Sequence, residues 1–239
     1  MPFRRPLLRC LLLALLLGGV GGTARAAETA SFDLTVAGFR AGTMSLATTR
    51  DASTYSGRAK VNAAGVVGAF VTFTYDATAN GAVTAKGGVV PTRFDANSVS
   101  PGNAHKTTIL LKGGVPTSVT ITPPRDDVPN PAEQGGTLDP VSAAVKMLSD
   151  GPVEQRCDMV VTVFDGSRLS RLALGPRKPS GSGFTCAGSY ARVKGVAASI
   201  SSLREFPFTL TFSQAGGIAK LQRIETSTSF GKAVLSRKG

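Results

Sequence analysis

From residue 31 onward, apolar and polar side chains alternate in short runs punctuated by glycine, asparagine and proline. Phe32, Leu34 and Val36 alternate with Ser31, Asp33 and Thr35, the period of a half-buried strand. Ala41-Gly42 marks a turn into a strand over 43–49, and 55–63 continues the meander. The stretch 66–77, with Phe70, Phe73 and Tyr75 among β-branched neighbours, reads as a central strand. Asn80-Gly81 and Gly87-Gly88 are hairpin signals bracketing another short strand. Further strands are predicted over 89–94, 106–112, 115–122, 157–164, 168–174 and 184–194, with Asp165-Gly166 a strong hairpin turn. Phe206, Phe208, Leu210 and Phe212 form the cleanest one-sided pattern, and Pro207 within it predicts an edge or bulged strand. The chain ends with strands over 218–227 and 230–235, about fourteen in all.

One segment breaks this pattern. In the stretch 139–150, DPVSAAVKMLSD, Asp139 is a good N-cap, Pro140 suits the first turn, and Asp150-Gly151-Pro152 stops the element. Val141, Ala144, Val145 and Leu148 follow the i, i+3, i+4, i+7 spacing that places them on one helical face. A helix this short does not persist alone in water, so its apolar stripe must pack on something larger. About fourteen strands exceed what an open twisted sheet comfortably holds. The expected fold is therefore all-β with one central helix: a curled antiparallel sheet forming a β-spiral or open barrel around it. On this reading Leu148→Asp buries an unpaired charge and unfolds the domain.

Between sheet and helix, residues 123–131 hold four prolines. They exclude regular pairing, so the chain to Leu138 is expected to be an exposed connection carrying the backbone into the sheet's interior. No internal repeat or interdomain linker is apparent, and residues 27–239 are expected to fold as a single domain.

The first 26 residues stand apart. Arg4, Arg5 and Arg9 precede an apolar run over 11–20 and the small-residue site Ala24-Arg25-Ala26. This is the pattern of a signal peptide cleaved after Ala26, and the run is shorter than the ~20 residues of a spanning helix. The expectation is a periplasmic protein, exported, soluble after cleavage, with no later transmembrane segment. Removing the leader takes four arginines and no acids, leaving 23 basic and 15 acidic side chains, a formal charge of +8. That balance suits anionic lipid head groups or acidic glycans, but the charges are scattered, as solubility alone requires. Cys157 and Cys186 are the two cysteines left, and an exported chain with one pair is expected to join them in a disulfide. Closing a loop of about 30 residues contributes on the order of 3 to 4 kcal/mol.

Motifs for chemistry are sparse. His105 is the single histidine, and no G-x-S-x-G or H-E-x-x-H surrounds it, so it reads as a surface residue. Asp126, Asp127 and Glu133 read as solvated loop charges, since calcium sites draw on more oxygen ligands at regular spacing. Arg168, Arg171, Arg177 and Lys178 cluster around one hairpin, but with no tryptophan and few neighbouring aromatics they make no stacking platform for nucleic acid. No enzyme, cofactor or metal site is expected.

Several short segments, taken in order, carry a resemblance. They are Phe39-Arg40-Ala41-Gly42-Thr43-Met44, Val89-Val90-Pro91-Thr92-Arg93-Phe94, Leu138-Asp139-Pro140-Val141-Ser142-Ala143-Ala144, Cys157 with Val163-Phe164-Asp165-Gly166-Ser167-Arg168, Cys186, and the ending 220–235. Across nearly the whole mature chain this resembles the bacterial envelope family catalogued as domain of unknown function 3108. The resemblance implies a periplasmic β-spiral or barrel around a helix, similar in outline to lipoprotein carriers, and no established reaction. In many such sequences an aromatic residue stands near where this chain has Val145 or Met147. The functional expectation is a monomeric, non-catalytic periplasmic protein supporting cell-envelope integrity, with envelope lipids or proteins as partners. The alternative is a carrier or sensor of a lipid or other hydrophobic ligand, held in a groove beside Val141, Val145 and Leu148. The two are separated by the inward residues, since Phe70, Phe73, Phe208, Leu210 and Phe212 fill space while alanines and glycines leave it.

Overall fold

The structure is a computed structural model and describes residues 26–63, 73–126, 128–194 and 205–239. The expected signal peptide lies outside the described residues, apart from Ala26, as do Phe70 and Asp127. The first seven strands are β1 (Ala26–Val36), β2 (Phe39–Arg50), β3 (Thr54–Ala63), β4 (Phe73–Val83), β5 (Val89–Ser100), β6 (Asn103–Lys112) and β7 (Val115–Thr122). After α1 (Pro140–Leu148) come β8 (Gly151–Pro152), β9 (Met159–Phe164), β10 (Leu169–Leu174), β11 (Lys178–Ser180), β12 (Gly183–Lys194), β13 (Glu205–Ala215), β14 (Ile218–Thr228) and β15 (Gly231–Arg237).

All strands join one sheet in the order β7-β6-β5-β4-β3-β2-β1-β15-β14-β13-β12-β10-β9, with β8 beside β14 and β11 beside β12. Pairing of β1 with β15 splices the N-terminal meander to the C-terminal one. The sheet curls without closing. Its two ends overlap: a Cβ on Gly166, in the β9–β10 turn, would lie 2.8 Å from Thr107 and 3.4 Å from Val119, side chains of β6 and β7. The free edge of β9 is covered by the chain entering the helix, where Leu138 N–H donates to Thr162 (2.9 Å) and Phe164 N–H donates to Leu138 (2.8 Å). Covering an edge in this way removes a template for unwanted pairing.

Local departures from the expected pattern have physical reasons. Asn80-Gly81 lies inside β4, not in a turn, at a register shift against β5. A Cβ on Gly81 would strike the Val90 carbonyl at 2.1 Å, so glycine here serves close strand approach and the reversal falls at Thr84 to Gly88. Pro207 sits in a central strand and not at an edge, and that strand is the bulged alternative, with a register shift against β14 between Thr211 and Phe212. The register of β13 with β14 begins only at Phe208, so the missing N–H falls outside that ladder. The connection over 123–138 is not wholly exposed: it contains a 3-10 turn at Pro131–Glu133, and Gln134 and Thr137 are buried.

The helix starts as predicted. Asp139 accepts hydrogen bonds from the Val141 and Ser142 N–H groups, each 2.9 Å, the geometry of an N-cap. It ends at Leu148, and its buried residues include Ser142, Ala143 and Met147 as well as Val141 and Val145. A one-sided stripe is the wrong template for a helix enclosed by a curled sheet, because a second face is covered too.

Candidate functional site

The helix is fixed along one face. Val141, 1% exposed, and Val145 enter an apolar cluster with Leu46, Tyr55, Phe94 and Phe164. A Cβ on Gly57 of β3 would lie 2.9 Å from a Val141 methyl and 2.7 Å from one of Val145, so the bare glycine is what admits the helix so close to the strand. Beside it the Tyr55 hydroxyl lies 2.6 Å from Ser142 Oγ, and that hydroxyl donates to the Asp139 carboxylate. Asp139 is 2% exposed, and burial pushes its carboxyl up to about 6 against the hydrogen bonds that hold it down. These polar groups satisfy one another and the helix start; neither Asp139 nor Ser142 borders the cavities described below.

The adjoining side of α1 meets open space. A cavity of about 600 Å³ lies between Ala143, Ala144, Met147 and Leu148 of the helix and the inner side of the sheet, where Phe208 and Leu210 border it. Such a volume is ordinary for a small-molecule site. Its lining is mostly apolar, with a few polar groups at the margin. Ser170 and Tyr190 bond each other at 2.8 Å. Asp165 Oδ1 accepts from Ser167 N–H (2.8 Å), Ser167 Oγ (3.1 Å) and Arg168 N–H (2.7 Å), so one carboxylate oxygen is occupied by its own turn. The Arg168 side chain has no hydrogen bond or ion pair among the described residues, and its Nε is shielded from solvent.

A second, more polar chamber of about 420 Å³ shares Phe73, Tyr75, Ser98, Asp165 and Arg168 with the first. His105 borders it, with Nδ1 shielded and unbonded. The histidine is therefore not the surface residue expected. It sits two residues from Thr107 and four from Ile109 on the inward side of β6, opposite Ser98.

Antiparallel order collects the turns β1–β2, β5–β6, β9–β10 and β14–β15 at one end of the barrel, and both chambers lie toward that end. The opposite end holds a further cavity of about 660 Å³ beside the C-terminus of α1. Charge stitches that end together. Arg237 pairs with Asp150 at 2.7 Å, and Asp150 N–H donates to Glu28 at 2.9 Å, while burial raises the Glu28 carboxyl. Buried Arg156 donates to the Lys146 carbonyl at 2.8 Å, capping the last helical turn. Gly151 leaves the room this arginine needs, since a Cβ there would lie 2.2 Å from its Nη2.

The three residues predicted for a ligand groove thus separate. Leu148 borders the apolar cavity, Val145 the cavity at the opposite end, and Val141 neither. They share a stripe, but most of that stripe is spent on Gly57. Of the basic residues near one hairpin, Arg168 faces inward, Arg171 is exposed, and Arg177 lies 5.5 Å over the Phe184 ring. Cys157 and Cys186 form a disulfide with a Cα separation of 5.5 Å, tying the chain before β9 to β12. Arg168 and His105 were missed as site residues. The signal that finds them is strand parity: Arg168 stands in phase with Ser170, Leu172 and Leu174, and His105 with Ile109 and Leu111. Among the described residues, no three or more His, Cys, Asp or Glu side chains gather as a metal site, and no helix is long and apolar enough to cross a membrane.

No curated protein matches the chain. Among solved structures, it is similar to a β-barrel-like protein of domain of unknown function DUF1849 from Brucella abortus, with a TM-score of 0.48 and 11% identity, covering 91% of this chain and 98% of that one. A family model described as protein of unknown function (DUF3108) matches residues 31–175, more than half of the sequence, and the chain belongs to that family.

Proposed function

We propose that this protein is a non-catalytic envelope protein that holds an apolar ligand, such as the acyl chain of a lipid, in the cavity between α1 and the sheet. The supporting observation is the cavity itself: about 600 Å³, lined by Ala143, Ala144, Met147 and Leu148 on one side and by aromatic and aliphatic sheet residues on the other. Apolar walls with a few polar groups at the margin suit burial of hydrocarbon, which gains roughly 0.8 kcal/mol per methylene removed from water. Holding lipid is one way such a protein would support the envelope, and the leader in the sequence agrees with a periplasmic site of action.

The test is mass spectrometry of an organic extract from protein purified gently out of the periplasm, beside an unrelated exported protein prepared identically. A stoichiometric lipid is expected, and it should be lost in Ala144→Phe, which places a ring in the cavity. An extract that stays empty after candidate lipids are added back overturns the reading. The same preparation checks export, since its first residue should be Ala27.

A further inference from the structure

The apolar cavity does not end in bulk solvent on all sides. It meets the polar chamber across Phe73, Tyr75, Ser98, Asp165 and Arg168, so a bound molecule has an apolar compartment and a polar one within reach. At that boundary stands Arg168, whose side chain has no partner among the described residues and whose Nε is closed off from water. The shielded Nε finds no acceptor among the described residues, and the one carboxylate at the boundary, Asp165, gives its Oδ1 to Ser167 and the Arg168 N–H, while its Oδ2 takes no hydrogen bond and forms no ion pair there. His105 also lines this chamber, with its Nδ1 likewise shielded and unbonded. The boundary therefore presents a guanidinium that makes no ion pair among the described residues, beside a space shaped for hydrocarbon.

We propose that the ligand is a single-chain amphiphile with an acidic head group, a carboxylate or a phosphate monoester, its chain against Ala143, Ala144 and Leu148 and its head on Arg168. The proposal rests on the apolar-ligand reading above and adds the head-group chemistry. A planar guanidinium with donors in a fixed fork suits both head groups, and hydrogen bonds between two charged partners are the strong ones. Ser98 and His105 line the same chamber and supply its other polar groups.

The test is calorimetric titration of delipidated protein with dodecanoate, dodecyl phosphate and dodecanol, in wild type, Arg168→Met and Arg168→Lys. In wild type at least one of the acids should bind about tenfold or more tightly than the alcohol, which lacks only the charge. Arg168→Met should bring the acids within about twofold of the alcohol while leaving the alcohol's own affinity unchanged, and Arg168→Lys should keep part of the preference because it keeps the charge. Where Arg168→Met fails to fold, Arg168→Gln serves in its place. Equal binding of acid and alcohol to the wild type, or a preference that survives loss of the arginine, overturns the head-group assignment and leaves the cavity reading standing. If none of the three probes binds, both fall.

Discussion

The helix turns two unlike faces to the barrel. On one, Val141 and Val145 are pressed onto Gly57 with no room for a methyl group, and the Asp139-Ser142-Tyr55 chain locks the first turn. Around the helix from it, Ala143, Ala144 and Met147 look into a cavity, with Leu148 at the border between the two. The same contrast runs between the ends of the barrel. Ion pairs around Asp150 and the Arg156 cap hold the helix C-terminus, while the Arg168 side chain at the opposite end has no partner among the described residues. The difference teaches how a short helix can be both anchor and wall: rigid packing on one side holds the small residues of the other side in place against an empty space. Without the first face the second would collapse.

The comparison breaks most completely at Val141. Val141→Asp places an unpaired charge where the helix is tightest and should cost more than about 4 kcal/mol, seen as loss of a cooperative thermal transition. Leu148→Asp, expected from the sequence to unfold the domain, should cost less than Val141→Asp, because Leu148 is half-buried and borders the cavity.

Next in size is a pH effect on the anchored face. The Asp139 carboxyl is raised from 3.8 to about 6 in the folded protein. Between those values the folded chain binds the proton more tightly than the unfolded one, so stability falls as pH rises from about 4 to about 6 and then levels, by roughly 3 kcal/mol. Asp139→Asn keeps an N-capping side chain and should remove that slope in denaturant titrations across the range. A wild-type slope that persists in the variant would assign it to other groups.

Smaller again is Gly57→Ala. The added methyl meets both valines and should lower stability by about 1–3 kcal/mol, read as a lower midpoint in urea. Smallest is Ala144→Phe on the cavity side. With space to receive the ring, it should change stability by less than about 1 kcal/mol while excluding the ligand. If the two substitutions prove equally costly, the cavity is not open in solution and the contrast between the faces disappears.

Much of this fold was legible in the amino-acid order. Alternation from Ser31 onward marked the strands, Asp139-Pro140 marked the helix start, and the one cysteine pair beyond residue 26 marked the disulfide, because each depends on local backbone preference or on counting. Legibility failed where one residue has two uses. Asn80-Gly81 reads as a turn because glycine permits turns, but the same absence of a Cβ lets β4 approach β5. Phe208, Leu210 and Phe212 share one inward parity, yet the first two line the cavity while Phe212 stacks on Phe184 with centroids 5.1 Å apart.

What the sequence determined by itself was which side chains point inward, since a period of two or a helical stripe follows from bond geometry alone. What an inward side chain meets was decided only by the tertiary structure. Whether Val141 finds a glycine or Leu148 finds a void depends on which strands the curl brings across from the helix. So does the setting of Arg168. Its parity was readable, but the boundary between two chambers on which it stands exists only once β9, β10 and α1 are placed against the far edge of the sheet.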